Sequence, residues 1–230
     1  ELDRLALGLA GRGVEGFVPT LVPVPLAELG PLMARLSAWV RSRTPGDGRG
    51  AMPLGIHLER PFVSPSRSGA LHRECLLDGS DVRAVDAFLD AVGEVPGRPV
   101  VTLAPEIPGG LDLVSRFAAL GWLVSLGHTE ADVPTLDEAL RRGARHMTHF
   151  GNAMKPLHHR DAGPVGWGLL RDGVTVDGKS LPFGRVFLGI YGLQDITLTF
   201  VEADSFTADA YHTAASKAVR MGAEGTPWHL

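Results

Sequence analysis

Glu59, His128 and His149 are one carboxylate and two imidazoles, each at or beside the end of a short apolar run: LGIHLE (Leu54 to Glu59), LVSLGH (Leu123 to His128) and HMTHF (His146 to Phe150). One oxygen and two nitrogen donors suit a divalent metal of borderline softness. Three protein ligands leave a position open for water, whose pKa such a metal lowers from ~16 towards ~7. Hydrolysis at neutral pH is the chemistry that follows. Taken singly, each residue is also explained as a hydrogen-bonded polar group of the fold, and only their recurrence at equivalent places favours a shared ion. Thr20 and Glu106 end two further runs, GFVPT (Gly16 to Thr20) and VVTLAPE (Val100 to Glu106).

The elements that must position these residues follow from the alternation of short apolar runs with longer stretches of helical period, the pattern of βα units in a parallel sheet. A sixth run, Ile196 to Val201, lies near the carboxyl end. Between the runs, Leu29, Leu32, Met33, Leu36 and Trp39 share one helical face. So do Val82, Val85, Phe88, Leu89 and Val92, then Leu111, Val114, Phe117 and Leu120, then Val133, Leu136 and Leu140. Ser80 and Thr129 are expected to act as N-caps, and Gly121 and Gly143 to follow helix ends. A doubly wound sheet binds ligands only at its switch point. Polar groups at the ends of five or six successive strands favour instead a (β/α)8 TIM-like barrel, whose active site lies at that end. From Asp172 onward the alternation weakens, so one or two units are expected to be missing or rebuilt over 172–230.

Composition narrows the class. The chain has 230 residues, 44% hydrophobic and 21% charged, which is enough for one globular domain over 1–230. A net charge of -4 gives no basic face for nucleic acid or an anionic membrane. No run approaches the ~18 apolar residues of a membrane span. Cys75 is the only cysteine, so no intrachain disulfide forms and a cytoplasmic setting is expected, with Cys75 a buried, inert thiol. The chain opens on Glu1 with a helical segment ending at glycine, and is expected to continue upstream.

GIHLERPFVSP is similar to the H-x-E-G-P-F segment of N-acetylglucosamine-6-phosphate deacetylases of the amidohydrolase superfamily. VTLAPE, VSLGHTEA and THFGNAMKPLHHRDAGPVG follow in that family's order, and the resemblance runs from about Gly13 to Gly168. It implies a metal-dependent (β/α)8 barrel that hydrolyses the N-acetyl amide of an amino-sugar phosphate. It implies one ion per chain, zinc or iron, held by Glu59, His128 and His149. Substrate contacts fall on His72, on Asn152 and Ala153 of the N-A-M segment, and on Arg160, whose guanidinium suits a phosphate. Asp204 is implied as the acid/base that protonates the leaving amine. The expected ligand is a small amino-sugar phosphate, with no nucleic acid and no membrane, and the expected assembly is a homo-oligomer, a dimer.

Departures from the family pattern fall near the same residues. Arg60 stands where the family has glycine, and one extra residue precedes His72. Thr175 stands in DGVTVDG where the family has a substrate-positioning histidine. The segment expected to read T-D-A is Val201, Glu202, Ala203 and Asp204, which leaves Glu202 a second candidate base. A first barrel strand and a small β-sandwich have no counterpart, and His158, His159, His212 and His229 are read as incidental. Two alternatives stay open: a barrel remnant that binds sugar phosphate or a partner without turnover, and an amidohydrolase acting on a cyclic amide.

Overall fold

Successive side chains of a strand point to opposite faces, so each apolar run must divide its residues between two surfaces. The computed structural model describes residues 1–180 apart from 60, 69–72, 159, 172, 177 and 178, with 179 and 180 described as backbone alone. In it, β1 (Gly16–Phe17) pairs only with β3 (Met52–Pro53). The main sheet takes β2 (Thr20–Leu21), β4 (His57–Glu59), β5 (Val100–Leu103), β6 (Leu123–Leu126), β7 (Ala144–Met147), β8 (Thr175–Val176) and β9 (Lys179–Ser180), in that order. Its pairs are parallel up to β8, and β8 with β9 is antiparallel. The helices are α1 (Leu2–Ala10), α2 (Leu26–Arg41), α3 (Val82–Val92), α4 (Gly110–Ala119), α5 (Val133–Arg141) and α6 (Gly163–Leu170).

The strand order rises with the sequence and does not reverse among the described strands, so the switch point of a doubly wound sheet is not found there. Two runs read as single strands are divided. GFVPT feeds both β1 and β2, broken near Pro19, which has no N–H to give to a ladder. LGIHLE keeps only its last three residues as β4. At Gly55 an added Cβ would lie 1.9 Å from the Arg98 carbonyl oxygen, so the chain passes there as bare backbone. The run Ile196 to Val201 lies outside the described residues.

The helix ends differ from expectation at their starts. Asp81, not Ser80, caps α3, its carboxylate accepting from the Arg83 and Ala84 N–H groups. The Ser80 hydroxyl is bonded to Asp78 instead. Asp132, not Thr129, caps α5, because Thr129 is engaged with Glu106. Gly121 and Gly143 follow α4 and α5 at positive φ, as expected. Val82 and Leu120, assigned to inward faces, are exposed. Cys75 is half-buried rather than buried.

One face of the sheet carries Leu58, Val101, Leu103, Val124, Leu126 and Met147, all buried in a cluster with Met33, Phe88, Phe117 and Leu136 of the helices. The other face is polar. Thr20 Oγ1 lies 3.1 Å from His57 Nδ1, His57 Nε2 2.7 Å from Thr102 Oγ1, and Thr102 Oγ1 2.9 Å from Thr148 Oγ1. The series continues to Ser125 Oγ, 2.5 Å from Thr148 Oγ1 and 3.0 Å from His146 Nδ1. Burial is the main cause that lowers both histidines to about 4; for His57 the Glu59 carboxylate opposes the shift. Both rings are neutral at pH 7.

Below pH 6.5 an unfolded histidine takes up a proton that these buried rings refuse until about pH 4. Stability of the metal-free chain is therefore expected to fall as pH drops through that window. Urea denaturation at pH 7, 6 and 5 measures it, and a midpoint independent of pH would contradict the burial of neutral rings.

Candidate metal centre

Glu59 ends β4, on the same face as His57 two residues earlier. Its strand then runs into a loop anchored by Phe62, which is fully buried against Phe88 and Phe117 with ring centroids 5.3 and 6.2 Å away. An edge-to-face contact of this kind adds about 0.5–1.5 kcal/mol to the burial of the ring. His128 and His149 each stand two residues beyond a strand, β6 and β7, and both adopt left-handed backbone, with φ of 50° and 57°. For residues other than glycine this conformation costs on the order of 1–3 kcal/mol, and it recurs where a site fixes the backbone. Here it turns two imidazoles back over the sheet towards Glu59.

The three side chains converge. Their ligand atoms lie within 4.8 Å of one another. His128 Nε2 is 3.0 Å from Glu59 Oε1, and His149 Nε2 contacts the same oxygen. The two rings meet edge to face, with centroids 4.9 Å apart. Glu59 and His128 are buried and His149 is half-buried. Burial would raise the Glu59 carboxyl, but the bonds to His128 and His149 outweigh it, so the group is held well below the usual carboxylate range and stays ionised.

His128 Nδ1 lies 2.7 Å from the Arg67 carbonyl oxygen. A carbonyl only accepts, so Nδ1 carries hydrogen, and in the neutral ring Nε2 presents a lone pair to Glu59. Two lone pairs at hydrogen-bond distance repel unless a proton or a cation lies between them. A divalent ion fits this donor set: a deprotonated carboxylate and two imidazoles, one with its tautomer fixed by an acceptor behind it.

The loops that carry these groups are tied to one another. The Ser64 N–H donates to the His128 carbonyl at 3.0 Å. Past β7, the Asn152 N–H donates to the His149 carbonyl at 2.7 Å, the Thr129 N–H to the Ala153 carbonyl at 3.2 Å, and the Lys155 N–H to the Thr129 carbonyl at 3.0 Å. The N-A-M segment thus lies against the turn that follows His128. Asn152 is exposed and its Oδ1 accepts from the Ala153 N–H, while Ala153 has a φ of 50°. Arg160 is exposed, and its backbone N–H donates to His158 Nδ1. Thr175, on β8, donates its hydroxyl to the Arg145 carbonyl. Arg60, His72, His159, Glu202 and Asp204 lie outside the described residues, as do His212 and His229.

Sequence reasoning placed Glu106 at a strand end without a role. It accepts from the Thr129 hydroxyl and the Glu130 N–H, both at 2.6 Å. Arg67, which that reasoning did not single out, is the acceptor behind His128 and pairs its guanidinium with Glu130. No sequence signal marks a backbone carbonyl as a partner.

The chain is 38% identical over 187 residues to the N-acetylglucosamine-6-phosphate deacetylase of Bos taurus, a match over 81% of this chain and 44% of that protein. With the Bacillus subtilis (strain 168) protein of the same name it shares 35% over 176 residues, 76% of this chain and 43% of the relative. The chain is a homologue of the N-acetylglucosamine-6-phosphate deacetylases. It spans less than half the length of these relatives. Among solved structures, the Thermotoga maritima deacetylase matches with a TM-score of 0.63 and 28% identity, over 76% of this chain and 44% of that one. The Mycobacterium smegmatis deacetylase matches with a TM-score of 0.62 and 31% identity, over the same shares. A mutant of the latter in complex with N-acetyl-D-glucosamine-6-phosphate matches with a TM-score of 0.58 and 30% identity, over 73% and 42%. No protein-family model matches the chain. Among the described residues, no helix is long and apolar enough to cross a membrane.

If the three groups share an ion, His149→Ala removes one ligand of three while leaving the buried Glu59–His128 contact in place. Calorimetric titration with Zn²⁺ is expected to show a loss of affinity of at least 10- to 100-fold, the range that even outer partners of a metal site carry. Equal affinity in the variant would exclude His149 as a ligand.

Proposed function

We propose that this chain is a single domain of (β/α)8-barrel architecture, from a metal-dependent deacetylase of N-acetyl-D-glucosamine 6-phosphate that releases acetate and glucosamine 6-phosphate. The observation that carries the reading is the convergence of Glu59, His128 and His149 at the ends of three parallel strands, in a homologue of enzymes that bear this name. The rising strand order supports the barrel. The ion is zinc or iron, one per chain, which when bound polarises the acetyl carbonyl and acidifies a water.

The remaining work falls to the protein. Glu59 stays ionised and supplies the negative charge that holds the ion, while the Arg67 carbonyl keeps His128 Nε2 as its donor. Arg160, with Asn152 and Ala153, receives the phosphate; all three follow His149 on one loop, and that loop lies against the His128 turn. His72 contacts the sugar, and Asp204 passes a proton to the leaving amine. The protein works in the cytoplasm as a homodimer, a setting supported by its single cysteine.

A second reading, a remnant that binds the sugar phosphate without turnover, is favoured by Thr175. Where the family has a histidine that positions substrate, this hydroxyl is engaged by the Arg145 carbonyl.

Acetate release from N-acetylglucosamine 6-phosphate by the zinc- or iron-loaded chain separates the two. Turnover is expected, with KM rising roughly 10- to 100-fold in Arg160→Ala, the equivalent of one charged hydrogen-bonding partner of ~1.5–3 kcal/mol. A folded, metal-loaded chain that binds the sugar phosphate in a calorimeter yet releases no acetate would leave only the second reading.

A further inference from the structure

Glu106 belongs to no ligand set, yet both its carboxylate oxygens are committed to the turn that carries His128. Oε2 accepts the Thr129 hydroxyl and Oε1 the Glu130 N–H, each at 2.6 Å. Thr129 Oγ1 in turn accepts from the Ala131 N–H at 3.0 Å. Thr129 is fully buried, so this hydroxyl has no water to replace the carboxylate. Ser64 and Arg67 hold the same turn as well, through the His128 carbonyl, the His128 ring and Glu130. Between the two braces His128 is kept at a φ of 50°.

We propose that Glu106 is a positioning residue for the metal site: its carboxylate builds the turn over 129–131 that holds His128 in left-handed backbone, with Nε2 aimed at Glu59. The inference rests on the metal-site reading above. It gives a purpose to the glutamate three residues beyond β5, on the loop where a fourth ligand would be sought. The Glu106 oxygens do not join the cluster of ligand atoms formed by Glu59, His128 and His149, and each instead bonds the turn.

The geometry also predicts which substitutions are tolerated. Glutamine keeps one acceptor for the Glu130 N–H, and its amide N–H donates to Thr129 Oγ1, a hydroxyl able to accept as well as donate. Alanine keeps neither bond. Left-handed backbone at His128 is costly, so a turn without Glu106 relaxes towards ordinary φ and swings the imidazole away.

The test is calorimetric titration of the metal-free chain with Zn²⁺, alongside the visible absorption spectrum of the Co²⁺ form, which reports ligand geometry independently of turnover. Glu106→Ala is expected to bind Zn²⁺ roughly tenfold more weakly, the lower end for outer partners of a metal site, with a changed Co²⁺ spectrum. Glu106→Gln is expected to restore both. Thr129→Val, which deletes the bond to Glu106 and the one from the Ala131 N–H but leaves the Glu106–Glu130 bond and the side-chain shape, is expected to fall between, and it carries the test if Glu106→Ala does not fold. Affinity and spectrum unchanged in folded Glu106→Ala, or in Thr129→Val in its place, would overturn the inference. Equal loss in Glu106→Ala and Glu106→Gln would make charge rather than turn geometry the agent and overturn it too. Absence of binding by the unsubstituted chain would overturn the metal site itself and this inference with it.

Discussion

Three electron-rich groups are packed against one another at the ends of β4, β6 and β7, and the surrounding structure is organised by the need to keep them there. An ionised carboxylate and an imidazole nitrogen that bears no hydrogen, as His128 Nε2 in the neutral ring, do not remain in contact without positive charge between them. Protonation of a ring supplies that charge in the absence of an ion; a divalent ion supplies more of it, and directionally. The Arg67 carbonyl behind His128 narrows the choice, because it fixes which nitrogen faces Glu59. The electrostatic demand of the site is therefore written into backbone placement as well as side-chain identity.

Holding that arrangement has a conformational cost. His128, His149 and Ala153 are the only residues other than glycine at positive φ among those described, and all three lie on the two loops that shape the site. Such strain persists only where neighbouring contacts over-determine the backbone. The contacts are present: the two loops exchange hydrogen bonds between Thr129, Ala153 and Lys155, and the loop after β4 grips His128 through Ser64 and Arg67. Below them the sheet presents a polar face in place of branched apolar side chains. Thr102, Ser125 and Thr148 link two neutral histidines into one hydrogen-bonded series across five strands. Short hydroxyls of this kind lock neighbouring strands by directional bonds, which suits a floor that has to keep three strand ends in fixed relation.

The parts of this organisation legible from sequence are those governed by period. Short apolar runs in VVTLAPE and LVSLGH identify β5 and β6, and helical spacing identifies the buried faces of α2, α3 and α5. The three converging residues were legible as well, because a carboxylate and imidazoles recurring at strand ends have few other uses. What escaped is set by single contacts. Whether Ser80 or Asp81 caps a helix depends on where the Asp78 carboxylate goes, and Thr129 is lost as a cap because Glu106 takes its hydroxyl. The division of GFVPT between two sheets depends on which neighbours the residues around Pro19 find, which no local pattern encodes. The brace behind His128 is a carbonyl, identical in every residue, and is invisible until the chain is folded.

Each of the three converging side chains comes from a different strand, so any ion they hold reads out the order β4, β5, β6, β7 and the lengths of the loops that follow them. That stretch runs from His57 to His149 and lies among the residues shared with the deacetylases. The groups assigned to substrate and proton transfer divide differently. Arg160 lies on the loop after His149, whereas Asp204 follows β9 in sequence and lies outside the described residues. In the reading proposed above, holding an ion and turning over an amide therefore depend on separate stretches of this chain. The first needs only packing and hydrogen bonds already formed around β4 to β7; the second also needs a carboxylate delivered by sequence that has departed from the family pattern.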